Sequence, residues 1–227
     1  MFQVSPFRVL DPRLKIVIIP PFPKQPTRIP MSEPTQIKDT TGNPAPLGLL
    51  AFGLTTVLLN LHNAGYYELN SMILAMGLCY GGTAQVIAGI MEWKKGNTFA
   101  TTAFISYGFF WLSLVALIVL PKIIPGVTAT NESALGTFLL LWGIFTAVMF
   151  LGTLKLSRAL QFVFASLTLL FFLLAIGKYS EASPAFNHFT GFEGVVCGAA
   201  AIYTGLAQVL NELHGKTVWP LGPMKKP

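Results

Sequence analysis

Six long apolar runs separated by short polar interruptions set the pattern of this chain: Pro46–Leu61, Asn70–Met91, Phe99–Leu120, Ala134–Leu154, Ala159–Gly177 and Gly194–Leu210. A bilayer core takes roughly 20 apolar residues as helix. The first run reaches that length only if it begins at Pro44, and the other five reach or approach it. Backbone amides in hydrocarbon have no water to bond, so spans of this kind are helices. The pattern predicts an all-α membrane protein, a six-transmembrane-helix bundle over residues 43–213. Residues 1–42 read as a polar, proline-rich, disordered tail and residues 214–227 as a short C-terminal tail.

The cations give the bundle a direction. Arg8, Arg13, Lys15, Lys24, Arg28 and Lys38 precede the first span. Lys94 and Lys95 lie between the second and third spans, Lys155 and Arg158 between the fourth and fifth, and Lys216, Lys225 and Lys226 after the sixth. Only Lys122 and Lys178 fall on the opposite side. Short loops rich in Lys and Arg stay in the cytoplasm, so both termini are expected there, in a multi-pass protein of the cytoplasmic membrane. The net charge of +6 therefore marks loops rather than a continuous basic face, and no nucleic-acid partner is expected. The apolar stretch at Lys15–Ile19 is too short for a signal peptide and is broken by Pro20, Pro21 and Pro23. Met31 opens a segment of ordinary length before the first span, so residues 1–30 read as an optional extension or an upstream start. Mass spectrometry of the native protein tests this.

The span interiors carry no Asp, Glu, Lys or Arg; Glu92, Lys155, Arg158, Lys178, Glu193 and Glu212 are all expected at span ends. Ion-driven pumps place ionisable groups in the membrane, which narrows the chemistry to neutral species or to anions held by dipoles, hydroxyls and amides. Thr55, Thr56, Asn60, Ser106, Tyr107, Thr146, Ser166, Thr168 and Tyr203 offer such groups, although Ser and Thr in membrane helices commonly bond their own backbone. Gln85, Gln161 and Gln208 need partners, because an unpaired amide in hydrocarbon is costly. Gly77 with Gly81, and Gly194 with Gly198, are small pairs at a spacing of four, which serves close helix packing or leaves room for a pore. Cys79 and Cys197 fall inside spans and read as small packing residues. His62, His188 and His214 lie too far apart to share a metal or a haem, so no cofactor is assigned. Phe104, Tyr107, Phe109, Phe110 and Trp111 concentrate aromatic bulk in the third span, for packing or for a constriction.

The first helix opens abruptly on Asn43-Pro44-Ala45-Pro46-Leu47-Gly48. Asn43 suits an N-cap, and Pro44 suits the first helical position, where its missing donor is unneeded. Free amides at such a helix start favour an anion. This motif and its continuation through Phe52-Gly53 resemble the signature of the acetate uptake transporter family, also called the GPR1/FUN34/YaaH or succinate–acetate permease family. Gly81-Gly82-x-Ala84-Gln85-x-x-Ala88-Gly89-x-x-Glu92 resembles its second helix, and Ser106-Tyr107-Gly108-x-Phe110-Trp111-Leu112 its third. Ala201-x-Tyr203, Asn211-Glu212 and the stretch from Gly215 to Pro220 resemble its sixth helix and C-terminus. The co-linear match runs over about residues 40–222, and the bacterial succinate–acetate permeases are the most similar members.

The resemblance implies six helices per subunit, cytoplasmic termini, and a homo-hexameric ring with one pore per subunit, similar in fold to proton-gated urea channels. It implies transport of acetate, and of succinate or other small carboxylates, coupled to protons. It places Asn43, Pro44, Ala45, Pro46, Leu47 and Gly48 at the cytoplasmic end of the pathway and a hydrophobic constriction at Phe52, Tyr107 and Leu167. It matches Ala201 to a position associated with substrate size. Gln85 and Gln161 join these as candidate pathway residues on their own chemistry. A passive pore for acetate or for a neutral solute such as urea is the alternative. A membrane enzyme would need clustered His, Asp, Glu or metal ligands near one interface, which this chain does not offer, and no enzymatic activity is expected.

Overall fold

The computed structural model describes residues 41–180 and 182–224. Among these residues, six helices are long and apolar enough to cross a membrane: α1 (Ala45–Asn63), α2 (Ser71–Lys94), α3 (Thr98–Ile123), α4 (Glu132–Thr153), α5 (Arg158–Tyr179) and α6 (Pro184–His214). The tail expected over residues 1–42 lies almost wholly outside the described residues, as do Lys225 and Lys226.

Polar caps set the helix starts. The side chains of Asn70, Asn97, Asn131, Ser157 and Ser183 each accept a backbone N–H in the first turn of the helix that follows. Five of the six expected spans agree with the helices to within a few residues. The sixth is longer than expected: α6 begins at Pro184, behind the Ser183 cap, ten residues before Gly194. Asn187, His188 and Glu193 interrupt the apolar run, and apolarity alone truncated the span there. Glu193 therefore lies inside α6 and not at a span end.

α1 packs along α6, α2 on α3, α4 on α5, and α5 on α6. Glycines set the closest approach. A Cβ on Gly53 would stand 2.7 Å from the Gly198 carbonyl, and one on Gly198 would stand 2.8 Å from the Gly53 carbonyl, so the two backbones touch. Gly194 faces the Asn60 side chain, and Gly81 lies against Thr55. The spaced small pairs thus serve helix packing. α4 is the most peripheral helix and turns Leu141, Ile144, Val148 and Leu151 outward, which suits lipid contact.

Within α2, residues Gly77–Ala84 form a π-helix. Nothing in the apolar pattern signalled it. Such turns are rare and are often found at functional sites. Thr55 Oγ1 donates to the Met76 carbonyl at its start (3.4 Å), and Thr83 Oγ1 donates to the Leu78 carbonyl within it (2.9 Å).

After α6, Gly215 adopts φ +60° and ends the helix in a left-handed cap. The chain then returns along the bundle. Asn211 Oδ1 accepts from the N–H groups of Val218 (2.7 Å) and Trp219 (2.9 Å), and the Trp219 ring stacks on Tyr203. Arg158 N–H donates to the Gly222 carbonyl (2.8 Å) and Met224 N–H to Leu156 (2.9 Å), so the strap ties α6 to the α4–α5 turn.

Candidate functional site: a vestibule and a neck

The start of α1 and the end of α6 meet at one end of the bundle, where Asn43 Nδ2 donates to Gln208 Oε1 (3.1 Å). Asn43 Oδ1 accepts from Ala45 N–H (3.1 Å), and Pro44 already has helical φ −83° and ψ −14°. The Asn43 side chain therefore caps α1 in the expected way, and it also supplies the partner that Gln208 needed. Pro44, Pro46 and Gly48 are buried behind it. A side chain on Gly48 would strike the Phe104 ring at 2.6 Å, so the motif's glycine lets that ring lie flat on α1.

Inward from this cap lies a vestibule of ≈520 Å³. Asn43 before α1, Ala45 and Leu49 of α1, Glu92 of α2, Lys95 and Asn97 of the turn, Phe99, Ala100, Ala103 and Phe104 of α3, and Leu160 and Phe164 of α5 line it, with Gln208. Glu92 is only 2% exposed, and its Oε2 accepts from Asn97 Nδ2 (2.8 Å). Lys95 Nζ donates to the Thr41 carbonyl (3.0 Å) beside the motif. Thr41, Asn43, Pro44, Leu47, Lys94 and Lys95 surround an adjoining outer cavity of ≈420 Å³. The mouth is thus wide, with largely apolar walls that carry a carboxylate, lysines and amides.

Deeper in, the cavity shrinks to ≈20 Å³, room for about one water. Leu49, Phe52, Gln85, Ala103, Phe104, Tyr107, Val163, Phe164 and Leu167 line this neck. The Phe52 and Tyr107 ring centres lie 6.0 Å apart, and those of Tyr107 and Phe164 lie 6.1 Å apart. The expected trio Phe52, Tyr107 and Leu167 is brought together, each nearly fully buried. Ala201 is buried in the same core cluster and backs the neck without lining it. Tyr107 Oη donates to Thr146 Oγ1 (2.9 Å), and Thr146 in turn donates to the Trp142 carbonyl (2.7 Å). Gln85 is 1% exposed, and its Oε1 has no hydrogen-bond partner.

Gln161 stands elsewhere. Its Oε1 accepts from Arg158 Nη1 (2.9 Å), and its Nε2 donates to the Thr153 and Leu154 carbonyls (both 3.4 Å). It closes the α4–α5 turn and lines neither vestibule nor neck. Here a turn, not a pathway, supplies the partner that an amide in hydrocarbon requires. The aromatic group of α3 also divides. Phe104 and Tyr107 reach the neck, Phe110 and Trp111 pack in the core, and Phe109 faces outward. At the far end a cavity of ≈250 Å³ is lined by His62, Asn63, Leu174, Gly177, Lys178, Asn187 and Thr190. Lys178 there is paired with Glu132 at 2.9 Å.

Sequence reasoning missed Glu92 and Phe164 as lining residues, and named Phe104 only within an aromatic group for packing or a constriction. A signal for Glu92 was present, since Gln85, Ala88 and Glu92 follow one another at helical spacing on the buried face of α2.

Comparisons with known proteins bear on the family and the helical fold. The GPR1/FUN34/yaaH family model matches residues 27–226. The succinate-acetate/proton symporter SatP of Escherichia coli K12 is 59% identical over 181 residues, which is 79% of this chain and 95% of that protein. Acetate permease A of Emericella nidulans is 35% identical over 195 residues, 79% of this chain and 65% of that protein. A solved structure of the bacterial acetate channel SatP superposes with a TM-score of 0.78 at 58% identity, covering 80% of this chain and 99% of that one.

Proposed function

The chain belongs to the GPR1/FUN34/yaaH family, and on that premise we propose that it carries acetate, and with it succinate or other small carboxylates, across the cytoplasmic membrane in company with protons. The observation that carries this reading is the stepped cavity: a charged vestibule of ≈520 Å³ leading to an apolar neck of ≈20 Å³. The vestibule holds a small acid in water. The neck admits its methyl group and resists its charge, because no ionic partner lines it to offset desolvation. Relatives named as a succinate-acetate/proton symporter and an acetate permease supply the substrate class.

The pathway runs from Asn43, Pro44, Ala45, Pro46, Leu47 and Gly48 through the vestibule to Phe52, Gln85, Tyr107 and Leu167, with Ala201 setting the neck's backing. The Asn43 end faces the cytoplasm, as its lysines and arginines favour. A homo-hexamer with one pathway per subunit fits a neck enclosed by helices of a single chain. A passive, channel-like mode is the second reading. It is favoured by a neck lining without carboxyl, amine or imidazole groups, and by the solved relative being described as an acetate channel.

Labelled-acetate uptake into proteoliposomes, with and without an inward proton gradient and against protein-free vesicles, tests the proposal. Gradient-driven accumulation above the protein-free level is expected. Protein-dependent equilibration without accumulation selects the passive mode. No protein-dependent uptake overturns both.

A further inference from the structure

Gln85 occupies a position that its surroundings leave unexplained. It is 1% exposed, it borders the ≈20 Å³ neck, and its Oε1 is buried without a partner. The neighbouring hydroxyls are already committed: Thr55 to Met76, Thr56 to Phe52 (2.7 Å), Tyr107 to Thr146, and Thr146 to Trp142. An amide left open in such a place costs stability, and a ligand that completes it recovers that cost.

The π-helix explains how the amide comes to be there. Gly77, Gly81 and Gln85 are buried at intervals of four residues. In an α-helix each such step overshoots a full turn by about 40°, so two steps would rotate the third residue away from the first. The wider turns of Gly77–Ala84 absorb the overshoot and end at Gln85. Gly81 lies against Thr55 of α1 while Gln85 faces the neck, so one departure from α-geometry serves both packing and aim.

Resting on the carboxylate-transport reading above, we propose that Gln85 is the specificity residue of the neck and that it reads the protonation state of the substrate, passing the neutral carboxylic acid in preference to the anion. A primary amide carries an acceptor oxygen beside a donor N–H. A neutral carboxylic acid carries the complementary pair, an O–H donor beside a carbonyl acceptor, and closes a two-bond ring with the amide. A carboxylate offers acceptors only, so it meets the open Oε1 lone pair to lone pair. The neck lining supplies no Asp, Glu, Lys, Arg or His to offset an anion's charge. Among the described residues, the titratable side chain facing Gln85 in that lining is Tyr107, whose hydroxyl proton is given to Thr146. The substrate brings its own proton through the neck and releases it to water in the vestibule. Coupling of one proton to each carboxyl group then needs no side-chain relay.

The test uses the full-length protein in proteoliposomes, with acetate as probe and protein-free vesicles subtracted. At constant total acetate, wild-type flux should follow the acid and fall about tenfold for each pH unit above the carboxyl range. Acetamide, an uncharged molecule with the same donor and acceptor pair, should compete. Gln85→Met keeps length and removes the amide. It should lower acetate flux at acidic pH by about tenfold and abolish acetamide competition. Flux that stays level as pH rises, or a folded Gln85→Met protein with wild-type flux and competition, would overturn the proposal. If Gln85→Met does not fold, the wild-type pH profile decides alone. Absence of protein-dependent acetate flux at every pH would instead sink the carboxylate reading on which the proposal stands.

Discussion

The vestibule and the neck share helices α1, α2, α3 and α5, yet they are built on opposite terms. The vestibule encloses ≈520 Å³ and presents Asn43, Glu92, Lys95, Asn97 and Gln208. The neck encloses ≈20 Å³ and presents four phenylalanine or tyrosine rings, of which Phe52, Tyr107 and Phe164 follow one another at 6.0 and 6.1 Å between centres, with a single open amide. Four residues, Leu49, Ala103, Phe104 and Phe164, line both. The change in character thus comes from which turn of a helix faces inward, not from a change of element. On the reading proposed above, the charged groups at the mouth would set how often a small acid arrives, through long-range forces that salt screens. The apolar neck would set what passes, because a charge without a partner in low dielectric is costly.

Gly48→Val should breach this division most strongly. Its Cβ would meet the Phe104 ring at 2.6 Å, and that ring lines both the vestibule and the neck, so its displacement disturbs the step between them. Overpacking of this kind costs about 1–3 kcal/mol, and acetate flux per folded protein should fall on the order of tenfold. Proteoliposome uptake normalised to folded protein reads this. Wild-type flux would mean that the mouth motif does not act through the neck.

Asn43→Ala removes a helix cap worth about 1 kcal/mol and leaves Gln208 without its partner. Thermal unfolding in detergent should register the loss, while the lactate-to-acetate flux ratio stays at the wild-type value. A shifted ratio would assign selectivity to the mouth.

Tyr107→Phe deletes the bond to Thr146 and leaves the ring in place. Stability should fall by about 0.5–1.5 kcal/mol with an unchanged substrate range. A broadened range in competition assays would show that the hydroxyl, and not only the ring, sets the aperture.

Lys95→Ala is expected to do least. A charge at a wet mouth is worth about 1 kcal/mol or less, so acetate uptake should drop by less than about threefold, and the deficit should shrink as salt rises. A deficit that ignores ionic strength would point to a fixed binding role for Lys95.

The sequence carried the bundle well because its signals are long and local. Six apolar runs imply six helices, and Asn43 before the first implies a cap that its side chain supplies to Ala45 N–H; the caps at Asn97 and Asn131 came with the structure. Phe52, Tyr107 and Leu167 were legible through the family resemblance, since nothing in their own spacing joins residues on three helices. The misses have physical causes. Apolarity stops at Glu193, but a helix needs only satisfied backbone bonds, so α6 runs back to the Ser183 cap. The π-helix is a change of register with no compositional mark, and it decides where Gln85 points. Gln161 and Gln208 both demanded partners. One found them in the turn at Thr153 and Leu154 and the other at Asn43, pairings that only tertiary contact reveals.

The most direct test of the claim that the neck chooses the substrate is the lactate-to-acetate flux ratio of Leu167→Ala against wild type, measured in proteoliposomes of equal folded content. Leu167 is 3% exposed and borders the ≈20 Å³ constriction together with Phe52 and Tyr107, so its truncation opens space in the neck and nowhere in the vestibule lining. The account predicts that the ratio rises, with lactate gaining protein-dependent passage. A folded Leu167→Ala protein with the wild-type ratio would contradict it.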